Sequence, residues 1–437
     1  MNLPEDDIPA GKTVVTLTVR PENQSTISRA GESTESYPKI SDGTKADLLI
    51  YAVYDKNADG SYTLAEEFGG QKRITDAVFP MTIQFIIDKD AEYTVAFWAQ
   101  NSTTDAFDTS DLQKVKVIYE NAKNNDELRD AFCVTETING SVNDKTITLH
   151  RPLAQVNVGA PGWDYEAAAI LRPNPRTYAK STVTFSGLAQ YYNVVEAKTL
   201  TQDELEDGEL AMTTGDVVFA TDIMPAFLNL DNDDWNALSY LPYDKAYNEA
   251  FTSDVAKENF LIIDIDKDEN FKPYYHWGDY NTVNNPKTLN DTETFKYLSM
   301  TYILVPVAKD ETGNVKIASL SKVKFSASEA DGSNEREFFT ISNVPVQQNW
   351  RTNIISNNIF LVDATFHLFI VPTYCGDYND INGNNNGESK NDWNVDVEED
   401  ENGNWSVLNP GNTAKNPKWG GYNDNYPGIY TPEEPAE

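Results

Sequence analysis

The stretch TVVTLTV (residues 13–19) sets Val15, Leu17 and Val19 on one side of an extended chain and Val14, Thr16 and Thr18 on the other. That two-residue period recurs in MTIQFII, EYTVAFWA, KVKVIY, KTITLHRPLAQVNV, STVTFSGL, GDVVFA, FLIIDI, YLSMTYILVPVA, KVKFSAS, REFFTI and ATFHLFIV. Side chains of a strand alternate between two faces, so a chain written this way is built from half-buried strands. Clusters of Asn, Asp, Gly and Pro separate the runs, which predicts an all-β protein of β-sandwich type. Helical periodicity is confined to NDELRDAF (125–132) and TQDELEDGEL (201–210), so helices are expected to be few and short.

A chain of 437 residues exceeds what one ordinary core organises. Gly159, Pro161 and Gly162 interrupt the alternation before strands resume near Ser181, which suggests a boundary near residue 160. The expected plan is two consecutive sandwich domains, 1–160 and 161–375. The first includes strand 13–19 and a polar, protease-accessible loop over 20–38. From Gly376 the composition turns to Asn, Asp, Gly and scattered aromatics, so 376–437 reads as an acidic extension. Its few aliphatic residues are expected to contribute little stability unless a sheet edge or a partner receives its tryptophans.

Composition excludes several classes. A formal charge of −35 argues against nucleic acid, whose phosphates require clustered Lys and Arg, and against an anionic bilayer surface. Two cysteines, Cys133 and Cys375, cannot make a disulfide framework or a four-cysteine zinc site. No run is long and apolar enough for a membrane helix, and MNLPEDDIPAGK reads as a tether, without a basic or apolar leader region. His150, His276 and His367 lie in no metal-ligand spacing. Gly11-Lys12-Thr13 resembles a phosphate loop only by chance, because Asp6 stands where its first Gly belongs and no helix follows. In DIDKDEN (264–270), Glu269 replaces the turn Gly that a cation loop needs. No nucleophile elbow occurs, and no motif implies a cofactor.

Two segments carry a more specific signal. In LHRPLAQVNVG (149–159), Arg151 stands beside Pro152 inside an apolar strand, a place where Pro marks an edge or bulge and hydrogen bonds must fix the guanidinium. The second is NVPVQQNWRTNI (343–354). Together they resemble the fimbrillin family of Bacteroidota, the pilin-like and adhesin-like surface lipoproteins. The matching positions are Arg151, Pro152, Ala154, Gln155 and Asn157, then Val344, Pro345, Val346, Gln347, Asn349, Trp350, Arg351, Thr352, Asn353 and Ile354. VTFSGLAQYYNV and YLSMTYILVPV also look like family strands, so the resemblance covers roughly residues 13–373. The family's lipid-carrying Cys has no counterpart here, nor does the tail after Cys375.

The resemblance implies two transthyretin-like sandwiches, export to the cell surface or outer membrane, and a non-enzymatic subunit of a fimbria assembled by strand exchange. Its partners would be copies of itself or other fimbrial subunits, with a host or bacterial surface protein or glycan as a further target. In resembling pilins, cleavage after an Arg removes the first strand. Arg29 before Ala30 is the better site here, since Arg20 precedes Pro21 and an X-Pro bond resists trypsin-like enzymes. Val15, Leu17 and Val19 would leave with that strand. Phe366, Leu368 and Ile370 give ATFHLFIV the alternation of a donor strand, although an ordinary edge strand would look the same. Two other classes stay open. One is glycan binding by tail aromatics such as Trp393, Trp405, Trp419 and Tyr430; the other is a glycoside hydrolase with two carboxylates about 5 to 9 Å apart.

DKNADGSYTLAE (55–66) matches much of a calcium loop, with Asp55, Asn57, Asp59, Gly60 and Glu66 in ligand or turn places. Such a loop needs helices to hold its ends, and what precedes it is ADLLIYAVY, a strand by its alternation. Asn-Ala-Asp-Gly is then hairpin chemistry, supplying the positive φ of a tight turn. Titration calorimetry should accordingly detect no micromolar calcium affinity; such affinity, abolished by Glu66→Ala, would overturn the hairpin reading.

Overall fold

The computed structural model describes residues 8–22, 45–142, 144–161, 180–221, 295–308, 316, 318–329, 331–333, 335–356, 368–374, 397–399 and 405–407. Strands and short turns make up these residues, as the alternation requires, and the helical pieces among them are single 3₁₀ turns at Glu66–Phe68, Glu127–Arg129 and Gln202–Glu204.

The first sheet places the first strand, Lys12–Pro21, between Asp144–Leu149, which runs parallel to it, and Met81–Asp88, which runs antiparallel. The second sheet orders Tyr62–Leu64, Leu48–Lys56, Glu92–Gln100 and Ala131–Asn139, with Lys72–Ile74 also paired to Leu48–Lys56. Their facing sides form one sandwich core. Val15, Leu17, Val19, Ile83, Phe85, Ile87, Ile147 and Leu149 from the first sheet meet Leu49, Val53, Val95, Phe97, Ala99 and Phe132 from the second. The hairpin after Ala131–Asn139 lies close to the turn after Met81–Asp88. A Cβ at Gly140 would stand 2.1 Å from the Lys89 carbonyl oxygen, so only glycine fits that approach.

The second sheet is covered on its other side as well, which explains why EYTVAFWAQ is buried at every position after Glu92 instead of at alternate ones. There Leu48, Ile50, Ala52, Tyr54, Ala96 and Trp98 pack with Leu153, Tyr192, Val194, Met300, Tyr302 and Leu304. Trp98 meets Phe107 edge to face at 5.3 Å and gives its indole N–H to Gln100 at 2.8 Å, so its one polar atom is satisfied inside the core. Hydrogen bonds cross the same seam. The Tyr119 hydroxyl donates to the Ala189 carbonyl and accepts from the Leu304 amide, and Asn125 exchanges hydrogen bonds with Met300 through its amide N–H and side-chain oxygen.

A third sheet orders Phe295–Ile303, Ala154–Pro161, Trp350–Ser356 and Leu368–Tyr374. A fourth orders Asp216–Thr221, Lys180–Ser186, Lys322–Ser328, Arg336–Ser342, Trp405–Val407 and Val397–Glu399. Three local expectations change. The register shifts between Val158, opposite Ser299, and Gly159, opposite Tyr297, so the extra residue of the bulge is Leu298 on the partner strand, and pairing continues through Pro161 because a bulge absorbs the irregularity without ending the ladder. NDELRDAF yields one 3₁₀ turn, since the Asp126 carboxylate caps the Leu128 amide but Ala131-Phe132-Cys133 is drawn into the second sheet. TQDELEDGEL likewise makes one turn, held by the Glu204 carboxylate on the amide and hydroxyl of Thr201, and then extends. Part of the acidic extension does reach a sheet edge: Trp405–Val407 pairs in parallel with Arg336–Ser342. Residues 55–66 form a strand-to-strand connection, with the Asn57 amide on the Ser61 carbonyl and the Asp59 carboxylate accepting from the Ser61 amide and hydroxyl. Those two hydrogen bonds hold the Asp59 carboxyl below its ordinary pKa.

Cys133 lies in the core behind the second sheet and shares a hydrogen bond with Tyr192, a residue from the far side of that seam. Burial pushes its thiol up to about 12, so it is protonated and unreactive while the core is closed. In a Cys375→Ser background, thiol labelling and loss of tryptophan fluorescence should share one denaturant midpoint. Labelling that comes first would show the seam opening before the chain unfolds.

Candidate functional site: the seat of the first strand

The first strand is held on both sides along most of its length. Val15, Leu17 and Val19 stand opposite Phe85, Ile83 and Met81, while Thr16 to Pro21 stand beside Asp144 to Leu149. The three apolar residues are fully buried, and each such side chain contributes roughly 1.5 to 3 kcal/mol relative to exposure. The outward threonines are half-buried, with the Gln84 amide reaching Thr16 at 3.4 Å. At the start of the strand an exposed Lys12–Asp88 pair at 3.1 Å adds little, as partly solvated ion pairs do.

The other end is fixed differently. Pro21 and Glu22 are both buried, and the Glu22 amide donates to the Leu149 carbonyl at 2.8 Å. One Glu22 carboxylate oxygen accepts from the Arg151 amide at 3.1 Å and from its guanidinium at 3.4 Å. The second accepts from the Asn349 side-chain amide, Nδ2, at 3.1 Å and lies 2.8 Å from His150 Nδ1. Arg151 in turn grips Asp130 through Nε at 2.7 Å and Nη2 at 2.9 Å, the two-pronged geometry that suits a planar guanidinium. Its flat face lies over the Phe132 ring, 4.7 Å from the centroid. The side chains of Glu22 and Arg151 are completely shielded from solvent. Burial pushes the Asp130 carboxyl up against the pull of Arg151. Four chain segments therefore meet at one charge cluster: the end of the first strand, the start of Ala131–Asn139, the crossing at His150–Leu153, and the turn before Trp350–Ser356.

Both sequence segments singled out above owe their residue types to this place. Arg151 sits in the crossing from the first sheet to the third, where Pro152 needs no ladder partner and the guanidinium binds two acids. Asn343 and Asn349 adopt φ of 58° and 60°, the left-handed region that Asn tolerates, and the Asn349 backbone N–H donates to the Leu153 carbonyl. Gln155, Asn157 and Thr352 are buried in the third sheet. Val344 and Val346 are buried in a two-stranded ladder with Ala318–Leu320. Sequence reasoning located Arg151 but not its partners. A buried Arg demands an acid, yet Glu22 stands in a polar stretch and Asp130 in an apparent helix, so neither declares itself.

Arg20 is part of the first strand, opposite Thr148, and its peptide bond to Pro21 is inside the ladder. Arg29 and Ala30 lie outside the described residues, as do Phe366, Trp393, Trp419 and Tyr430. Leu368 and Ile370 stand opposite Ser356 and Ile354 in the outermost strand of the third sheet. His150 is half-buried, hydrogen-bonded through its backbone to Cys133. Among the described residues, no group of His, Cys, Asp or Glu is placed to hold a metal ion, and no helix is long and apolar enough to cross a membrane.

Solved structures of similar arrangement include three from Bacteroidota. A candidate adhesin of Bacteroides thetaiotaomicron is 11% identical, with a TM-score of 0.37 over 83% of this chain and 97% of its own. A candidate cell adhesion protein of Bacteroides ovatus is 7% identical, with a TM-score of 0.36 over 82% and 95%. The fimbrial anchor protein Mfa2 of Porphyromonas gingivalis is 11% identical, with a TM-score of 0.31 over 84% and 100%. No curated protein matches the sequence. One family model does, over residues 7–398, and the chain accordingly belongs to the family of unknown function DUF6562.

Proposed function

We propose that this chain is a structural or adhesive subunit of a cell-surface fimbria, joined to its neighbours by exchange of the first strand. The observation that carries this reading is the position of that strand. It lies between two partners, Met81–Asp88 and Asp144–Leu149, neither of which follows it through a hairpin. Such a strand can leave without breaking a tight turn, and its departure opens an apolar groove flanked by two rows of unpaired backbone groups. An extended segment from a neighbour satisfies both at once. Phe366, Leu368 and Ile370 give the segment ATFHLFIV the alternation a donor needs.

The two sandwiches, divided near residue 160, act in this reading as one body, because residues on both sides of that division share one core. The role is structural and non-enzymatic. The partners are other subunits or further copies, and the place is the cell surface. Release requires a cut beyond the strand. Arg20 is protected by Pro21 and by its ladder, which leaves Arg29 as the site.

Brief treatment of the full chain with an Arg-specific protease should release residues 1–29 and convert monomer to higher oligomers, while Arg29→Ala should block both. Unchanged monomer after verified cleavage at Arg29 would overturn the proposal. Leu17→Ala, which leaves a cavity under the strand, should lower stability by about 2 to 5 kcal/mol in denaturant titration of the uncut chain.

A further inference from the structure

The charge cluster sets a chemical condition on any segment that replaces the first strand. Resting on the exchange reading above, we propose that an incoming strand is selected by a carboxylate set three residues beyond the last of its three alternating aliphatic residues, at the Arg151 end of the groove. Apolar alternation alone is then insufficient.

The spacing comes from the resident strand. Val15, Leu17 and Val19 follow the two-residue period, Pro21 ends the ladder, and the acid stands at Glu22, three beyond Val19. A cut after Arg29 removes Glu22 together with the strand. The Arg151 amide and guanidinium, the Asn349 amide and His150 Nδ1 then lose the carboxylate that faces them. With the strand seated Arg151 is 1% exposed and Asn349 9%, so any occupant that refills the groove shields them from water again. Asp130 remains, but both of its oxygens are already engaged by Nε and Nη2 of Arg151. A neutral or apolar residue arriving at Glu22's place would take away the acceptor that the Arg151 backbone N–H and the Asn349 side-chain amide now share, and losing an acceptor at a buried donor costs more than a satisfied pair gains. A carboxylate meets all four groups again. Apolar positions thus supply affinity, and the acid rejects segments that merely alternate.

The condition discriminates within this chain. In the segment holding Phe366, Leu368 and Ile370, the residue three beyond Ile370 is Thr373, which carries no charge. That segment of a second copy fills the apolar positions and fails at the charge cluster. The fitting partner is an extended segment of a neighbouring subunit with three alternating apolar residues and an Asp or Glu at the stated distance.

Fluorescein-labelled peptides with the sequence of residues 10–24 test this on the full wild-type chain after cleavage at Arg29 and inactivation of the protease. One peptide keeps Glu22; two others carry Glu22→Gln and Glu22→Leu. Anisotropy should show the Glu22 peptide entering, with the 1–29 fragment displaced, and the two variants binding on the order of thirtyfold more weakly or worse. A peptide of residues 361–375 should bind as poorly as the variants. Equal binding by all three 10–24 peptides would sink the carboxylate requirement while leaving strand exchange standing. Entry by none of them, with cleavage verified, would remove strand exchange and the requirement together.

Discussion

A guanidinium buried at the crossing between two sheets has to be answered by acids, and in this molecule the answer fixes where four distant segments meet. Arg151 draws in Asp130 from one side and Glu22 from the other. Because its charge cannot be hydrated where it stands, each segment that supplies a partner is held to a narrow position. The Phe132 ring beneath the guanidinium and the Asn349 amide beside Glu22 bring the second and third sheets to the same point. The register of the first strand follows, since Glu22 in place aligns Pro21 with Leu149 and Val19 with Ile147. A slip of one residue would turn Val15, Leu17 and Val19 outward and carry the acid away from Arg151.

The second constraint is the covering of the second sheet on both faces. Phe97 and Trp98 are neighbours in sequence, yet one packs toward the first strand and the other toward residues beyond 160. A strand that is apolar on both faces cannot end at water, so the halves are joined by burial and not by a linker alone. The sheet behind the first strand is thereby braced from the rear. A sheet clamped between two cores gives the first strand a rigid floor.

How much of this was legible in the sequence depended on whether the signal was periodic or pairwise. The all-β class, the inward face of Val15, Leu17 and Val19, and the hairpin at 55–66 follow from two-residue alternation and turn chemistry, which act locally. Arg151 was visible as an irregularity, an Arg-Pro in an apolar strand, and the 343–354 segment through its likeness to fimbrillin sequences. Their meaning was not visible, because Glu22, Asp130 and Asn349 lie 129, 21 and 198 positions or so from Arg151 and no local pattern ties them together. NDELRDAF misled for a related reason: its helical spacing was genuine, but pairing of Ala131–Asn139 with the second sheet outweighed the propensity of one turn. Gly159 and Pro161 suggested a break where the sheet tolerates a bulge and a strand end.

The energetics of the cluster favour discrimination over strength. A buried ion pair, even one as well satisfied as Arg151 with Asp130 and Glu22, stabilises a fold little more than apolar residues of the same volume would. The first strand could have been held as firmly by a leucine at position 22 against an apolar neighbour. What a leucine could not do is make the wrong occupant costly. With Arg151 in place, the seat is stable for a strand that ends in a carboxylate and strongly unfavourable for one that does not, whereas an apolar seat would accept almost any alternating segment. The outward face of the strand shows the complementary logic. Thr16 and Thr18 meet Gln84 and Thr82 through long, weak contacts that any small polar residue could replace. Tolerance along the strand and intolerance at its end are what a site needs if it holds one occupant well and is to pass over the many exposed strands that merely alternate.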